Sequence, residues 1–234
     1  MNKNTLLKKI KLSDKDFEEI KESVKKAEEK TNGEIALAIT AESSHYSFWE
    51  LGTSVLISLL LIVCLLPLTN QIYGWLSTFI WGMTPLYLVL FYFAVCAVIT
   101  LILFGVFNIV EIDRIIVPES VKQNAVKNRA VRYFAESGVY CTKDHSGILV
   151  FVSYFEKSVY IVADKGISEK ISQDLWNLIR DEMLDLLKQN DVKGAFTDAV
   201  SRCGDLLSEY FPAKSENPNE LSDGLVVLED EKWV

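Results

Sequence analysis

The sequence predicts an α/β domain, with helices packed on a small mixed β-sheet, interrupted by a two-span transmembrane α-hairpin. Three observations lead there. Between Leu51 and Val110 there is no Asp, Glu, Lys or Arg, although 24% of the 234-residue chain is charged. Two β-branched and aromatic runs, Gly147–Ser153 and Ser158–Ala163, stand close together with a short polar stretch around Glu156-Lys157 between them, as hairpin strands do. Flanking segments carry apolar residues at spacings of three and four, the period of amphipathic helices.

The first helix covers residues 14–31, with Phe17, Ile20, Val24 and Ala27 on one face and Ser13 with Asp16 as a capping pair. Thr31-Asn32-Gly33 stops it. Glu34–Thr40 is a short, largely apolar run that suits a strand covered on both faces. The linker Ala41–Ser47 then leads into the uncharged run.

A spanning helix takes about 20 apolar residues, so that run holds two spans, Leu51–Leu68 and Pro85–Phe107. Thr69, Asn70, Gln71, Gly74, Ser77, Gly82 and Thr84 supply the polar connection, and Tyr73, Trp75, Trp81 and Tyr87 suit an interfacial aromatic belt. Because residues 1–50 are polar before the run begins, a cleaved signal peptide is not expected.

After the second span, Pro118 and a Ser120–Gln123 capping pair start a helix that runs to Ser137-Gly138, with Val121, Ala125, Val126, Ala130 and Phe134 facing inward. Beyond the hairpin, Ser168 caps a helix carrying Ile171, Leu175, Leu178, Ile179 and Leu186. Gly194 separates it from a last helix bearing Phe196, Ala199, Val200, Cys203, Leu206 and Tyr210, which Phe211-Pro212 ends. The tail is acidic and extended, with Leu225–Leu228 able to dock on the domain. A lone strand before the spans cannot bury both faces, so residues 10–46 and 112–212 are expected to form one split domain around a hairpin at 47–111, followed by the tail 213–234. Antiparallel spans leave and return on one side of the bilayer, which permits such an insertion.

These residues resemble the TPM domain family. The resemblance rests on Thr31-Asn32-Gly33-Glu34-Ile35, on Thr142–Ser153, and on Glu156, Val159, Ile161, Ala163-Asp164 and Gly166-Ile167. Gly194 and Asn217-Pro218-Asn219-Glu220-Leu221 extend it, and the inserted hairpin looks like a membrane-bound bacterial branch of the family. The resemblance implies an α/β/α arrangement with the sheet between helices. It also implies two possible chemistries, since some members bind calcium and weak acid phosphatase activity has been ascribed to others.

Asp144 lies just before the first hairpin strand and Asp164 just after the second, so antiparallel pairing puts both at one end of the sheet. Two converging carboxylates can take a hard cation such as Ca2+ or Mg2+, with Thr142 as a helper. The same residues can equally order a turn and cap a helix. His145 beside Asp144 is a better candidate than His45 in the linker, and Glu156 with Lys157 reads as a solvated turn pair.

Composition excludes several functions. A net charge of −8 with no basic block interleaved with aromatics argues against a nucleic-acid partner. Walker, HExxH and GxSxG motifs are missing, the four cysteines have no metal spacing, and the spans carry no ionisable residue for a proton relay. Cys64, Cys96, Cys141 and Cys203 read as reduced, packed thiols. Lys25, Lys26, Lys30, Arg114, Lys122, Lys127, Arg129 and Arg132 flank the hairpin and its loop has no basic residue, which puts both termini and the domain in the cytoplasm and the hairpin in the cell membrane. The reading that follows is an accessory or interaction module whose partners are the lipid bilayer and an unidentified membrane protein or complex. A divalent-metal-assisted phosphatase using Asp144 and Asp164 is the alternative.

Overall fold

Strand pairing across distant parts of the chain builds the sheet. The computed structural model describes residues 3–107, 114–214, 220–221 and 223–229. They divide into two compact units, Met1–Ser44 with Ser120–Val234, and His45–Glu119.

The first unit is a four-stranded mixed sheet between helices. Helix α1 (Lys3–Ile10) precedes α2 (Asp14–Glu28), which Ser13 and Asp16 start with a reciprocal capping box. Strand β1 (Glu34–Thr40) follows. Strands β2 (Gly147–Ser153) and β3 (Ser158–Ala163) form the expected hairpin, antiparallel from Ile148↔Ala163 to Ser153↔Ser158. β2 also runs parallel to β1 over seven residue pairs, Glu34↔Gly147 to Thr40↔Ser153. A short strand, Leu225–Val227, pairs parallel with Leu37–Ile39 on the other side of β1 and completes the order. It is β4 in chain order.

Period-two alternation divides the strand residues between two cores. Ile35, Leu37 and Ile39 of β1 and Ile148, Val150 and Val152 of β2 face a core with Ile20 and Val24 of α2. Ala38, Leu149 and Phe151 face the opposite core, with Val126, Ala130 and Phe134. Those last three come from the helix Glu119–Glu136, and the first core also takes Trp176, Ile179 and Met183 from Gln173–Lys188 and Phe196, Ala199, Val200, Cys203 and Leu207 from Val192–Tyr210. Helices thus cover both faces, and Leu6 and Ile10 of α1 add to the first core ahead of the first element read from the sequence.

Several local expectations are corrected. Asp164, not Ser168, caps a helix, the single turn Lys165–Ser168, because its carboxylate takes the Lys165 N–H at 2.6 Å. The Ser168 hydroxyl instead donates back to the Ala163 and Asp164 carbonyls, and the next helix begins at Gln173 after Ser172. On that helix Leu178 is 59% exposed and Trp176 takes its expected inward place. Gly194 lies in the first turn of the final helix, where its N–H meets Asp191; the break is at Asn190, in the left-handed region. Ser120 sits inside its helix rather than capping it.

Glu156 is also corrected. It is 4% exposed, not a solvated partner of Lys157. Its carboxylate accepts from the Ser43 N–H at 2.9 Å and from the Ser153 hydroxyl, while Ser43 and Ser153 hydroxyls meet at 2.8 Å. Together with Tyr154 N–H to Thr40 O and Phe155 N–H to Ala41 O, this ties the hairpin turn to the segment leaving β1. A buried carboxylate with several donors is a high-stakes network, since removing it strands each donor.

The second unit is a helical hairpin. Helix α3 (Ser47–Leu65) continues through a 3-10 turn at Leu66–Leu68 into α4 (Thr69–Ser77), and α5 (Pro85–Phe107) returns. Thr69, Asn70 and Gln71, expected in the connection, are therefore helical, and the reversal falls at residues 78–84 with Gly82 in the left-handed region. Pro67 stands at the start of the 3-10 turn, where a missing N–H costs little, and Thr69 Oγ1 donates to the Leu66 carbonyl. Both helical stretches, Ser47–Ser77 and Pro85–Phe107, are long and apolar enough to cross a membrane. Between them, Ser58 Oγ lies 2.8 Å from Thr100 Oγ1 and Thr69 Oγ1 lies 3.0 Å from the Tyr92 hydroxyl, polar contacts of the kind that hold helices together in an apolar medium.

The split sheet leads to a construction test. Residues 1–46 joined to 112–234 through about ten Gly/Ser residues should fold cooperatively as a soluble protein, because closing a short loop has a modest entropic cost. Residues 112–234 alone lack β1, the strand between β2 and β4, and should pack poorly. Equal thermal stability of the two proteins would contradict a shared core.

Candidate functional site

Three loops meet where β1 and β2 begin and β3 ends. Residues Thr31–Gly33 lead into β1, Thr142–Ser146 into β2, and Asp164–Ile167 leave β3. They interlock through main-chain and hydroxyl bonds: Glu34 N–H donates to Ser146 O at 3.1 Å, Ser146 Oγ to Asn32 O at 2.9 Å, and Asp164 N–H to Gly147 O at 2.9 Å. Two glycines permit this closeness. A Cβ on Gly166 would lie 2.6 Å from the His145 carbonyl oxygen, and one on Gly147 would run into the Val139 carbonyl.

The structure places the candidate residues as follows. Asp144 is bonded by Asn32 Nδ2 and by the Lys214 ammonium, which, with Asn32 and Lys143, holds its carboxyl below the ordinary carboxylate value. Asp164 accepts from the Lys165 N–H and lies 3.3 Å from His145 Nδ1. Thr142 is buried and its hydroxyl accepts the Ser146 N–H at 3.0 Å, closing the turn that carries Asp144 and His145. Loop geometry therefore brings Asp144, Asp164, Thr142 and His145 to one end of the sheet, each with partners inside the chain. Among the described residues, no group of three or more His, Cys, Asp or Glu side chains is placed to hold a metal ion.

A second set of carboxylates lies beside the first. Glu28 is 8% exposed and Glu34 is 4% exposed. Glu28 accepts the Ile35 N–H at 2.8 Å, yet burial, with the neighbouring charges of Glu34 and Asp223, pushes its pKa up to about 8. Glu34 accepts the Leu221 N–H at 3.2 Å and is also raised, by burial and by Glu220 and Asp223. Glu220 reaches the Lys143 N–H at 3.0 Å, so the C-terminal segment is fastened across both sets. Periodicity held one signal for Glu28: it stands four residues after Val24 and eight after Ile20, on the buried stripe. The sequence marked Glu34 as the start of a strand and part of the family motif but not as a buried carboxylate, and it did not mark Lys214; the partners of both come from distant segments.

Residues 110–206 match the family described as TPM domain. No curated protein matches the chain. Among solved structures, the NMR structure of the BA42 protein from the psychrophilic bacterium Bizionia argentinensis is similar in fold, with a TM-score of 0.55 and 18% sequence identity. The similarity covers 92% of this chain and 94% of that one.

Proposed function

We propose that this chain is a membrane-anchored accessory or interaction module, in which the hairpin fixes a TPM domain at the bilayer and the domain assists assembly or maintenance of a membrane complex. The observation that supports it is the surface of the hairpin unit. Leu56, Leu60, Phe93 and Leu101 are each more than half exposed, on helices with no charged residue between Leu51 and Val110. Apolar surface of that extent needs lipid or another protein against it. Purification from membranes in mild detergent should recover a defined membrane protein in fixed proportion to this chain. Recovery of the chain alone, with phosphatase turnover of its own, would contradict the proposal.

The second reading, a metal-assisted phosphatase, is favoured by the meeting of Asp144, Asp164 and His145 at one sheet end. A bound divalent cation would polarise a phosphate ester and sharpen a water nucleophile. As placed, the donors fit such an ion poorly: Ca2+ takes six to eight oxygens, whereas Asp144 faces an ammonium and Asp164 and Thr142 accept backbone N–H groups. On this reading millimolar Ca2+ or Mg2+ raises the melting temperature, since a ligand of the native state stabilises it by mass action, and Asp164→Asn abolishes the rise. Turnover should also be lost with chelator and in Asp144→Ala and Asp164→Ala. No thermal shift leaves the two residues as turn and cap.

A further inference from the structure

Residues 1–13 carry four lysines, Lys3, Lys8, Lys9 and Lys11, and no Asp or Glu, in a chain whose net charge is −8. Lys8 and Lys9 stand in the last turn of α1, and Lys11 follows in the left-handed region where the chain turns toward α2. All three are exposed. Among the described residues they have no ion-pair partner, whereas Lys15 is paired with Glu19, and Lys193 with Asp16 and Glu19. Asp14 and Glu18, exposed on the first turns of α2, offset the strip only in part.

The apolar side of α1 is already occupied. Leu6 is fully buried and Ile10 is 4% exposed in the first core, and Leu7 and Leu12 pack half-buried against it. The helix therefore has no apolar face to lay into a membrane, and what it offers outward is charge. A protein partner would want a buried apolar or aromatic anchor beside that charge. Anionic headgroups need none, because they answer to clustered lysines alone.

The place of the strip in the fold points the same way. α2 ends at Glu28 and β1 begins at Glu34, so the helix runs back along the strand, with Ile20 and Val24 in one core with Ile35, Leu37 and Ile39. The first turn of α2, with Lys11 just ahead of its capping Ser13, thus lies at the end of the sheet where β1 finishes at Thr40. From that same end the segment Ala41–Ser44 leaves the sheet unit, and the apolar helix α3 starts at Ser47. So short a connection keeps the effective concentration of the strip at a bilayer surface high.

We infer that Lys8, Lys9 and Lys11 form a binding strip for anionic lipid headgroups, a contact of the sheet unit with the bilayer surface made by charge alone. This rests on the membrane-anchor reading and adds a lipid class to it. Each lysine contributes a modest attraction that salt screens, and the three act together because one short segment carries them.

The experiment uses the full chain in nanodiscs of phosphatidylcholine, with or without about 30% phosphatidylglycerol, and reads lysine acylation by a neutral reagent residue by residue. Lys8, Lys9 and Lys11 should react about fivefold more slowly in the anionic discs, and the difference should vanish in about 0.5 M salt. Lys25, in the last turn of α2 at the other end of the sheet, and Lys127 are exposed and should react equally in both. In Lys8→Gln with Lys11→Gln, Lys9 should regain most of its rate in phosphatidylcholine, because one lysine alone holds weakly. Equal rates in the two discs overturn the inference. Slowing of Lys9 that survives the double substitution also overturns it, since nearness through the hairpin would then suffice. If acylation slows only when a co-purified acidic membrane protein is added, the strip serves protein and not lipid. The anchor reading is judged apart from these outcomes, by whether the chain enters the discs at all.

Discussion

Raising the pH from about 4.5 to about 8 should destabilise the sheet unit by about 5 kcal/mol, and Glu28→Gln should remove most of that dependence. The figure follows from a carboxyl with an ordinary value of 4.5 pushed up to about 8, at about 1.4 kcal/mol per unit. Burial is the largest cause, followed on the destabilising side by Glu34 and Asp223, while the Ile35 N–H works in the opposite direction. Below 4.5 the carboxyl is neutral in both states. Between 4.5 and 8 the unfolded chain has lost a proton that the folded chain still holds, so stability falls as pH rises, and the contribution is gone once pH passes the folded value. Glu34, also raised, adds to the same slope. Asp16, Glu19 and Asp144 are lowered, so what they contribute is present above their unfolded values and lost only as pH falls through the lower folded ones, outside this window. Cys203 provides the readout: it is fully buried, with its thiol pushed to about 12 by burial, and reacts only when the core opens. With Cys64, Cys96 and Cys141 replaced, urea dependence of Cys203 labelling gives the stability at each pH. An identical slope in the native and Glu28→Gln chains would show that Glu28 is not held neutral.

Local order was legible in this sequence and long-range pairing was not. The capping box at Ser13 and Asp16, the strand Glu34–Thr40 and the hairpin Gly147–Ala163 follow from neighbours in the chain, and periodicity finds them. The uncharged run likewise announced two long apolar helices, though Pro67 did not end the first, because a proline at the start of a turn is compatible with a following helix. At the candidate site, the sheet end shared by Asp144 and Asp164 could be read from strand direction. Lys214 at Asp144, Ser43 at Glu156 and Leu221 at Glu34 could not, since each partner is brought in by tertiary structure from another segment. The turn pair Glu156-Lys157 misled for that reason: hairpin turns are usually solvated, and this one is docked against residues 40–43.

Labelling of the hairpin from outside intact cells should be all or none. The basic residues nearest the hairpin precede and follow it, and its loop has none, so the loop is expected outside the cytoplasm and both termini inside. With the four native cysteines replaced, a single cysteine at Ser77 should react with a membrane-impermeant thiol reagent in intact cells. One at Ser201, exposed on the last helix of the sheet unit, should react only after lysis. Ser77 stands at the end of α4 next to Trp75 and Phe79, rings that favour the membrane interface, so a second probe at Asn70 is read beside it. Asn70 lies seven residues earlier on the same helix, on the far side of Tyr73 from Ser77, and reports how deeply α4 enters the bilayer. The reverse pattern, Ser201 reactive in intact cells and Ser77 protected, would put the sheet unit outside. The Asp144 and Asp164 end of the sheet would then meet an environment where free Ca2+ is abundant, and the metal reading would gain over the interaction module. Protection of both α4 probes until permeabilisation would instead mean that the apolar helices do not cross, and that their exposed leucines and phenylalanines are covered by protein rather than lipid.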